Sequence, residues 1–234
     1  MRTPGMNLTH SLVESLGLAI VTGDYQAVGF PTEAELSAQF AASRSVTREA
    51  VKMLTAKGLL TARPRYGTSV EPEERWNLLD PDVLRWLLER KFSLRLLQQF
   101  TEMRLGIEPE AAGLAAINAD KEALAEVRRA LGQMRAAADG EGDPLVADIA
   151  FHVAILNATH NPFYAELQEL VNTALRISIR FTNRIQGRTA SILAHETVLR
   201  AIEARDPEAA SQAARAIIVD VLDLIRAARQ TDTA

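Results

Sequence analysis

Residues 31–70 read PTEAELSAQFAASRSVTREAVKMLTAKGLLTARPRYGTSV, and this stretch decides the fold of the first part of the chain. Thr32 stands three positions before Glu35, which is the pattern of a capping box at the start of a helix. Ser43 can cap the next helix, predicted over about 45–57, and Gly58 ends it. The buried stripe of that helix is predicted to be Val46, Ala50, Val51 and Leu54. Short strands over 59–62 and 68–70 follow, around a turn at 64–67. With a helix predicted over 8–21, the pattern is typical of a helix-turn-helix with a wing.

Basic side chains are concentrated in the same stretch. Residues 41–70 contain six Lys or Arg and one acid, whereas the whole chain has a formal net charge of −4. Such a local basic surface favours contact with phosphate, although each Arg alone also fits an ordinary solvated helix face. A recognition helix needs free side chains at its N-terminal end to reach the major groove, and a wing can approach the neighbouring backbone. The predicted DNA-contacting residues are Ser43, Arg44, Ser45, Thr47, Arg48, Arg65, Tyr66 and Gly67.

The composition excludes several classes of protein. The chain has no cysteine, which excludes disulfides and thiolate metal sites. It has no run of 18 apolar residues, and residues 1–10 lack the apolar core of a signal peptide. We therefore expect a cytoplasmic protein that does not enter a membrane.

The rest of the chain is predicted to be helical. Helical periodicity and Gly, Pro and Asn punctuation place helices over 94–117, 120–139, 143–158, 162–185, 189–204 and 207–229. The fold class is therefore mainly α, with an N-terminal winged helix-turn-helix and a C-terminal, all-α antiparallel helical bundle. We divide the chain into a DNA-binding domain at 1–75, a linker helix at 76–92, and an effector-binding and dimerisation domain at 93–234.

The first part resembles the winged helix of the GntR family of bacterial transcription regulators. The resemblance rests on the motifs at residues 31–36, 43–50 and 58–70. It implies that the partner is double-stranded operator DNA and that two copies bind a palindromic site as a homodimer. Ala34 departs from the pattern, because the family usually has a DNA-contacting Arg at that position.

A second group of residues has the spacing of a metal site. Asp148 and His152 are four positions apart on one predicted helix, so that both side chains lie on one face. Such a pair suits a divalent metal that prefers nitrogen and oxygen ligands. His195, on a later helix, can supply a third ligand. A histidine hydrogen-bonded to an aspartate explains the same spacing without a metal.

The helical part resembles the FCD effector domain of the FadR-like subgroup of the same family. Residues 102–112, 148–162 and 195–210 carry this resemblance. It implies a zinc-like metal held by the Asp, the following His and two later His residues, which here are Asp148, His152, His195 and a position occupied by Ile217. A metal-free pocket, in which the histidines bind an effector directly, remains the alternative.

Residues 76–86, WNLLDPDVLRW, resemble the interdomain element of regulators of sugar-acid catabolism. That resemblance implies an aldonate, such as galactonate, as the effector. A carboxylate effector needs cations, and Arg is the usual partner of a buried carboxylate. Arg104 lies among apolar residues and is predicted to point inward, whereas Arg180 fits a pocket and a solvated face equally well. The predicted effector-binding residues are Arg104, Asp148, His152, Arg180 and His195.

These patterns together predict a dimeric, ligand-responsive transcription regulator, most simply a repressor that a small carboxylate releases from DNA. We expect no enzymatic activity. Three alternatives stay open: a metal-dependent hydrolase-like helical domain, a regulator of a different small organic acid, and a helical half that only dimerises.

Overall fold

The computed structural model describes residues 8–63, 67–90, 93–186 and 191–232. The chain divides into two compact units, Met1–Phe92 and Ser93–Ala234. Residues 76–90 belong to the first unit and pack within it. None of the helices that the structure describes combines the length and the apolar character that a membrane-spanning segment needs.

The first unit is a small helical domain with a two-stranded sheet. The antiparallel strands pair from Leu60 opposite Val70 to Arg63 opposite Gly67. Its helices and strands are α1 (Leu8–Thr22), α2 (Glu33–Gln39), α3 (Arg44–Ala56), β1 (Leu60–Arg63), β2 (Gly67–Val70) and α4 (Pro81–Arg90), with a 3-10 turn at Glu73–Arg75. The predicted winged helix-turn-helix is therefore confirmed, with the strand boundaries shifted by about one residue.

The capping residues act as the sequence predicts. The Thr32 hydroxyl accepts a hydrogen bond from Glu35 N, while the Glu35 carboxylate accepts one from Thr32 N at 2.8 Å. Gly58 has a φ of +76°, and a Cβ there would lie 2.7 Å from the carbonyl oxygen of Arg75. Only glycine therefore fits between α3 and the chain that follows the wing.

Helix α4 is fixed to α1 through an aromatic ring. The ring of Trp86 covers Gly17 of α1, and its Nε1 donates to both carboxylate oxygens of Glu14, at 2.7 and 3.1 Å. Arg85 pairs with the same carboxylate. The predicted linker helix is thus held within the first unit by packing and by charge.

The second unit is a helical bundle, as predicted. Its helices are α5 (Leu94–Asn118), α6 (Lys121–Ala138), α7 (Pro144–Ala158), α8 (Pro162–Ala165), α9 (Gln168–Gln186), α10 (Ile192–Glu203) and α11 (Pro207–Asp232). Helix α11 packs along α5, α6 packs on α7, and α10 lies against α5, α6 and α11. The single helix predicted over 162–185 is wrong at its start, because Leu167 N bonds to Tyr164 O in a tighter turn that separates α8 from α9.

Candidate functional site

The N-terminal turn of α3 presents polar and cationic side chains to solvent. Ser43 is the N-cap residue, and its hydroxyl accepts a hydrogen bond from Val46 N at 3.4 Å. Arg44, Ser45 and Arg48 are exposed. The opposite face of the helix is buried, so this end is fixed in place while its side chains stay accessible to solvent. Helix N-termini also favour negatively charged groups.

Thr47 does not belong to this exposed surface. We predicted that it stays outside and contacts DNA, but the structure buries it completely. The buried stripe consists of Thr47, Ala50, Val51 and Leu54, so the register starts at Thr47 and Val46 is only partly buried. The Thr47 hydroxyl lies 3.2 Å from Ser43 O and 3.0 Å from the Ser37 hydroxyl, which satisfies the polar group and ties α3 to α2. Its role is therefore in packing.

The basic residues of this region are not equivalent. Arg48 pairs with Glu33 at 3.4 Å, but the Arg48 side chain is 61% exposed, and such surface pairs contribute little. Lys57, by contrast, has a side chain only 14% exposed and lies 2.9 Å from Asp80 and 2.8 Å from Asp82. Lys57 is therefore neutralised within the first unit and does not add to the phosphate-facing charge.

The wing is only partly described. Gly67 is exposed and has a φ of +82°, which suits the start of β2. Arg65 and Tyr66, which we predicted to contact DNA, lie outside the described residues. Ala34 is exposed on α2 and offers only a methyl group.

In the second unit, three predicted metal ligands lie together. Asp148 and His152 come from α7 and His195 from the first turn of α10, and all three are buried. One ligand atom from each lies within 4.8 Å of the others. The Oδ1 atom of Asp148 is 3.0 Å from Nε2 of His195 and 3.6 Å from Nε2 of His152.

The hydrogen bonds on the outer side of each ring point the inner nitrogens at this centre. The Nδ1 atom of His195 lies 2.8 Å from Ser191 O, a carbonyl that can only accept, so this nitrogen donates. The Nδ1 atom of His152 lies 2.7 Å from a carboxylate oxygen of Glu108. Both Nε2 atoms are therefore available as ligands, which is the usual arrangement around a metal.

Two atoms of the centre have no hydrogen bond. Despite their 3.0 Å separation, Asp148 Oδ1 and His195 Nε2 do not form one, and neither has another partner among the described residues. Two buried electron pairs that face each other are costly unless a proton or cation lies between them. The donor set of one carboxylate and two imidazoles thus fits a divalent metal of the zinc type.

The charges around the centre form a chain. Burial alone would lower the pKa of His152, but the carboxylates of Glu108 and Asp148 raise it to about 9. Burial alone would raise the pKa of Glu108, but Arg104 and His152 lower it to about 2. Burial likewise opposes the charge of Asp148, yet the neighbouring imidazole of His152 holds the pKa of this carboxyl well below its usual range. Without a metal, a proton on His152 therefore balances the carboxylates, and a cation at its Nε2 would replace that proton.

The predicted effector residue Arg104 points inward, as expected, but it is not free. It is buried, and its guanidinium forms a two-point ion pair with Glu108, four residues later on α5. Glu108 was not predicted as a site residue. Its spacing from Arg104 was a visible signal, whereas its contact with His152 was not. The side chain of Arg180 lies outside the described part of the structure.

A small cavity of about 10 Å³ adjoins the centre. Glu108 and His152 contribute its polar wall, and Ile217, Phe151 and Val198 are among its apolar lining. Ile217, at the position of the expected last ligand, thus lies beside the site and offers it only a hydrocarbon surface. A cavity of this size holds about one water molecule.

Comparison with known proteins matches both units to described families. The family "Bacterial regulatory proteins, gntR family" matches residues 8–70, and the FCD domain family matches residues 99–220.

Curated relatives match over most of their length. The galactonate operon transcriptional repressor of Escherichia coli K12 is 35% identical over 218 residues, covering 91% of this chain and 94% of that protein. The regulator YieP of the same organism is 33% identical, and the match covers 91% of this chain and 93% of YieP. The regulator LutR of Bacillus subtilis is 30% identical, at 81% and 88% coverage.

Solved structures share the fold. Escherichia coli McbR/YncC aligns over 96% of this chain and 100% of its own, with a TM-score of 0.54 and 18% identity. The Listeria monocytogenes protein Lar aligns over 96% and 99%, with a TM-score of 0.56 and 14% identity. At these identities the likeness concerns the fold alone.

Proposed function

We propose that this chain, which belongs to the gntR family of bacterial regulatory proteins and carries an FCD domain, is a ligand-responsive repressor of sugar-acid catabolism genes. The similarity to the galactonate operon repressor supports galactonate, or a related aldonate, as the effector. Such a regulator acts in the cytoplasm, where bacterial DNA is.

The observation that carries the DNA-binding role is the exposed cationic end of α3. Arg44 and Arg48 are exposed and can reach bases or phosphates while the opposite face of α3 anchors the helix, and the exposed pair of Arg48 with Glu33 is weak enough to be exchanged for a phosphate. Two such heads in a homodimer would contact two half-sites, since the symmetry of an operator mirrors that of its protein. Light scattering that gave a mass near the 25.6 kDa of one chain would contradict the dimer.

DNA binding is tested with a duplex that the wild-type protein selects from a random-sequence library. We expect Arg44→Ala and Arg48→Ala each to weaken binding about tenfold or more, because a good base contact is worth about 1–3 kcal/mol. Lys121→Ala removes the same charge from an exposed position of the second unit and is the control. If fluorescence anisotropy gave all three variants the same affinity for the duplex as the wild type, this interface would be refuted.

For the effector, the cluster of Asp148, His152 and His195 supplies the binding centre. These three residues would hold a divalent metal, which attracts the carboxylate and hydroxyl oxygens of an aldonate when it is bound. Arg104, which pairs with Glu108 behind His152, adds a cation near the centre. Arg180 on α9 is a further candidate for binding the carboxylate of the effector. The missing fourth ligand at Ile217 leaves a coordination position without a protein donor.

The small cavity bears on how such a ligand would act. An aldonate placed beside His152 would have to displace side chains that now leave room for about one water. A ligand that prefers a rearranged bundle shifts the protein toward that arrangement, which is how it would alter DNA binding. This makes the effector domain a switch.

The effector is tested by thermal shift with a panel of aldonates and other small organic acids, with and without a chelator. A bound ligand stabilises by mass action, by about 2.7 kcal/mol at a hundred times its Kd. We expect galactonate or a close relative to raise the melting temperature and the chelator to abolish the effect. Stabilisation only by acids unrelated to sugars would favour the alternative effector class, and metal-dependent turnover of an ester or amide would favour the hydrolase.

A further inference from the structure

We propose that Glu108 is a positioning residue for metal binding at Asp148, His152 and His195, and that Arg104 limits its effect. The proposal deepens the proposed function, because it rests on the metal centre. It assigns a task to a buried ion pair that DNA binding does not use.

The geometry connects Glu108 directly to one ligand. Its Oε2 lies 2.7 Å from Nδ1 of His152, and the side chains are only 5% and 8% exposed. This contact fixes the plane of the imidazole and directs Nε2 toward Asp148. A carboxylate behind the ring also makes the other nitrogen a stronger donor to a cation.

The two histidines differ in this respect. His195 is anchored by the backbone carbonyl of Ser191, which is neutral and belongs to its own helix. His152 is anchored by a charged side chain from α5. Glu108 therefore brings a negative charge close to the centre from a different element of the bundle.

Arg104 acts on the same oxygen. Its Nη2 lies 3.2 Å from Oε2 of Glu108, while its Nε bonds to Oε1. The Arg104 side chain is 3% exposed, so water screens its charge weakly. The guanidinium thus withdraws negative charge from the oxygen that faces His152, and it opposes the binding of a cation there.

This arrangement predicts opposite effects of two changes that disturb the same ion pair. Glu108→Gln removes the negative charge behind His152, so metal affinity should fall, by about 10–100-fold for a lost partner of this kind. Arg104→Gln leaves the carboxylate uncompensated, so metal affinity should rise severalfold. A purely structural ion pair would lower the stability of both variants and shift the metal affinity of both in the same direction, or not at all.

The experiment is a titration of full-length, chelator-stripped protein with Co²⁺, followed by its visible absorption, and with Zn²⁺ against a chromophoric chelator. The variants are Glu108→Gln, Arg104→Gln and the double variant R104Q/E108Q, in which two neutral amides replace the charged pair. Glu110→Gln, at an exposed position of the same helix, is the matched control. Thermal unfolding of each metal-free protein records the loss of stability separately.

We expect weaker binding with an altered Co²⁺ spectrum for Glu108→Gln, tighter binding for Arg104→Gln, and wild-type behaviour for Glu110→Gln. The double variant should bind more weakly than the wild type but less weakly than Glu108→Gln, because it lacks the unpaired guanidinium, and it decides the matter if that single variant does not fold. Affinity and spectrum unchanged on loss of Glu108 would overturn the proposal while the metal centre stands. A wild-type protein that binds neither ion would overturn the metal centre together with this proposal, whereas operator binding is measured independently.

Discussion

Replacing Gly17 by alanine should lower the free energy of unfolding of the first unit, although alanine is the better helix former. Gly17 lies inside α1, where alanine would gain about 1 kcal/mol of helix propensity. A Cβ there would, however, lie 2.7 Å from Cζ2 of Trp86 and closer still to Cη2 and Cζ3. The indole is 2% exposed and held by Glu14, so it cannot easily move away.

The size of the effect follows from these two opposing contributions. Overpacking of a core costs about 1–3 kcal/mol, and a rigid buried ring places this site at the upper end. We therefore expect a net loss of about 2 kcal/mol in the free energy of unfolding of the first unit. The result should appear in urea unfolding followed by tryptophan fluorescence, because Trp76 and Trp86, the two tryptophans of the chain, both lie in this unit.

The same substitution at Gly132 is the control. Gly132 is exposed within α6, and a Cβ there meets nothing within 4 Å, so alanine should stabilise the second unit by up to about 1 kcal/mol. Unfolding of this variant is followed by far-UV circular dichroism. A stabilised Gly17→Ala protein would refute the packing of α4 on α1.

Three further outcomes follow from the structure. Lys57→Met should lower the stability of the first unit by about 1–3 kcal/mol, since Asp80 and Asp82 lose their hydrogen-bonded cation. Burial alone would raise the pKa of Asp82, but Lys57 and Arg85 lower it overall. The stabilisation is therefore present above the ordinary aspartate pKa of about 3.9 and is lost as pH falls below it. Urea unfolding at pH 7 and pH 3 should show a smaller loss of stability on acidification in the variant than in the wild type. Ile217→His should add a metal ligand and tighten Zn²⁺ binding at least tenfold, about 1.4 kcal/mol, by chelator competition, and unchanged affinity would count against the position of Ile217 beside the centre. Thr47→Val should cost about 1 kcal/mol of stability but change DNA affinity less than twofold, whereas a DNA-specific loss would return Thr47 to the interface.

Local patterns predicted the architecture well. The capping box at Thr32, the stop at Gly58 and the helical periodicity after residue 93 are features of neighbouring residues, and the structure has them where expected. The buried stripe of α3 was predicted wrongly at its start, because Val46 and Thr47 are adjacent and apolar character alone favoured Val46 over Thr47. Thr47 can be buried at little cost because its hydroxyl donates a hydrogen bond to a carbonyl of the preceding turn. The periodicity of apolar residues alone does not reveal this.

Long-range charge partners could not be read from the sequence. Lys57 looked like part of a basic surface, but its partners Asp80 and Asp82 are 23 and 25 residues away. Asp148 and His152 were visible from their spacing, and His195 was predicted as a third ligand from a later helix. Glu108 needed the packing of α5 on α7 to bring it to His152. The contacts that were not predicted from the sequence are therefore those between residues far apart in the chain.

In the proposed function, a small acid bound in the second unit controls the affinity of α3 for DNA. The direct measurement is the anisotropy of a labelled, selected duplex bound by full-length protein as galactonate is added, compared between the wild type and His195→Ala. We predict that galactonate releases the duplex from the wild-type protein, and that His195→Ala binds the duplex equally well but no longer releases it. A panel of aldonates that leaves the wild-type complex intact, or a variant that responds like the wild type, would contradict the account.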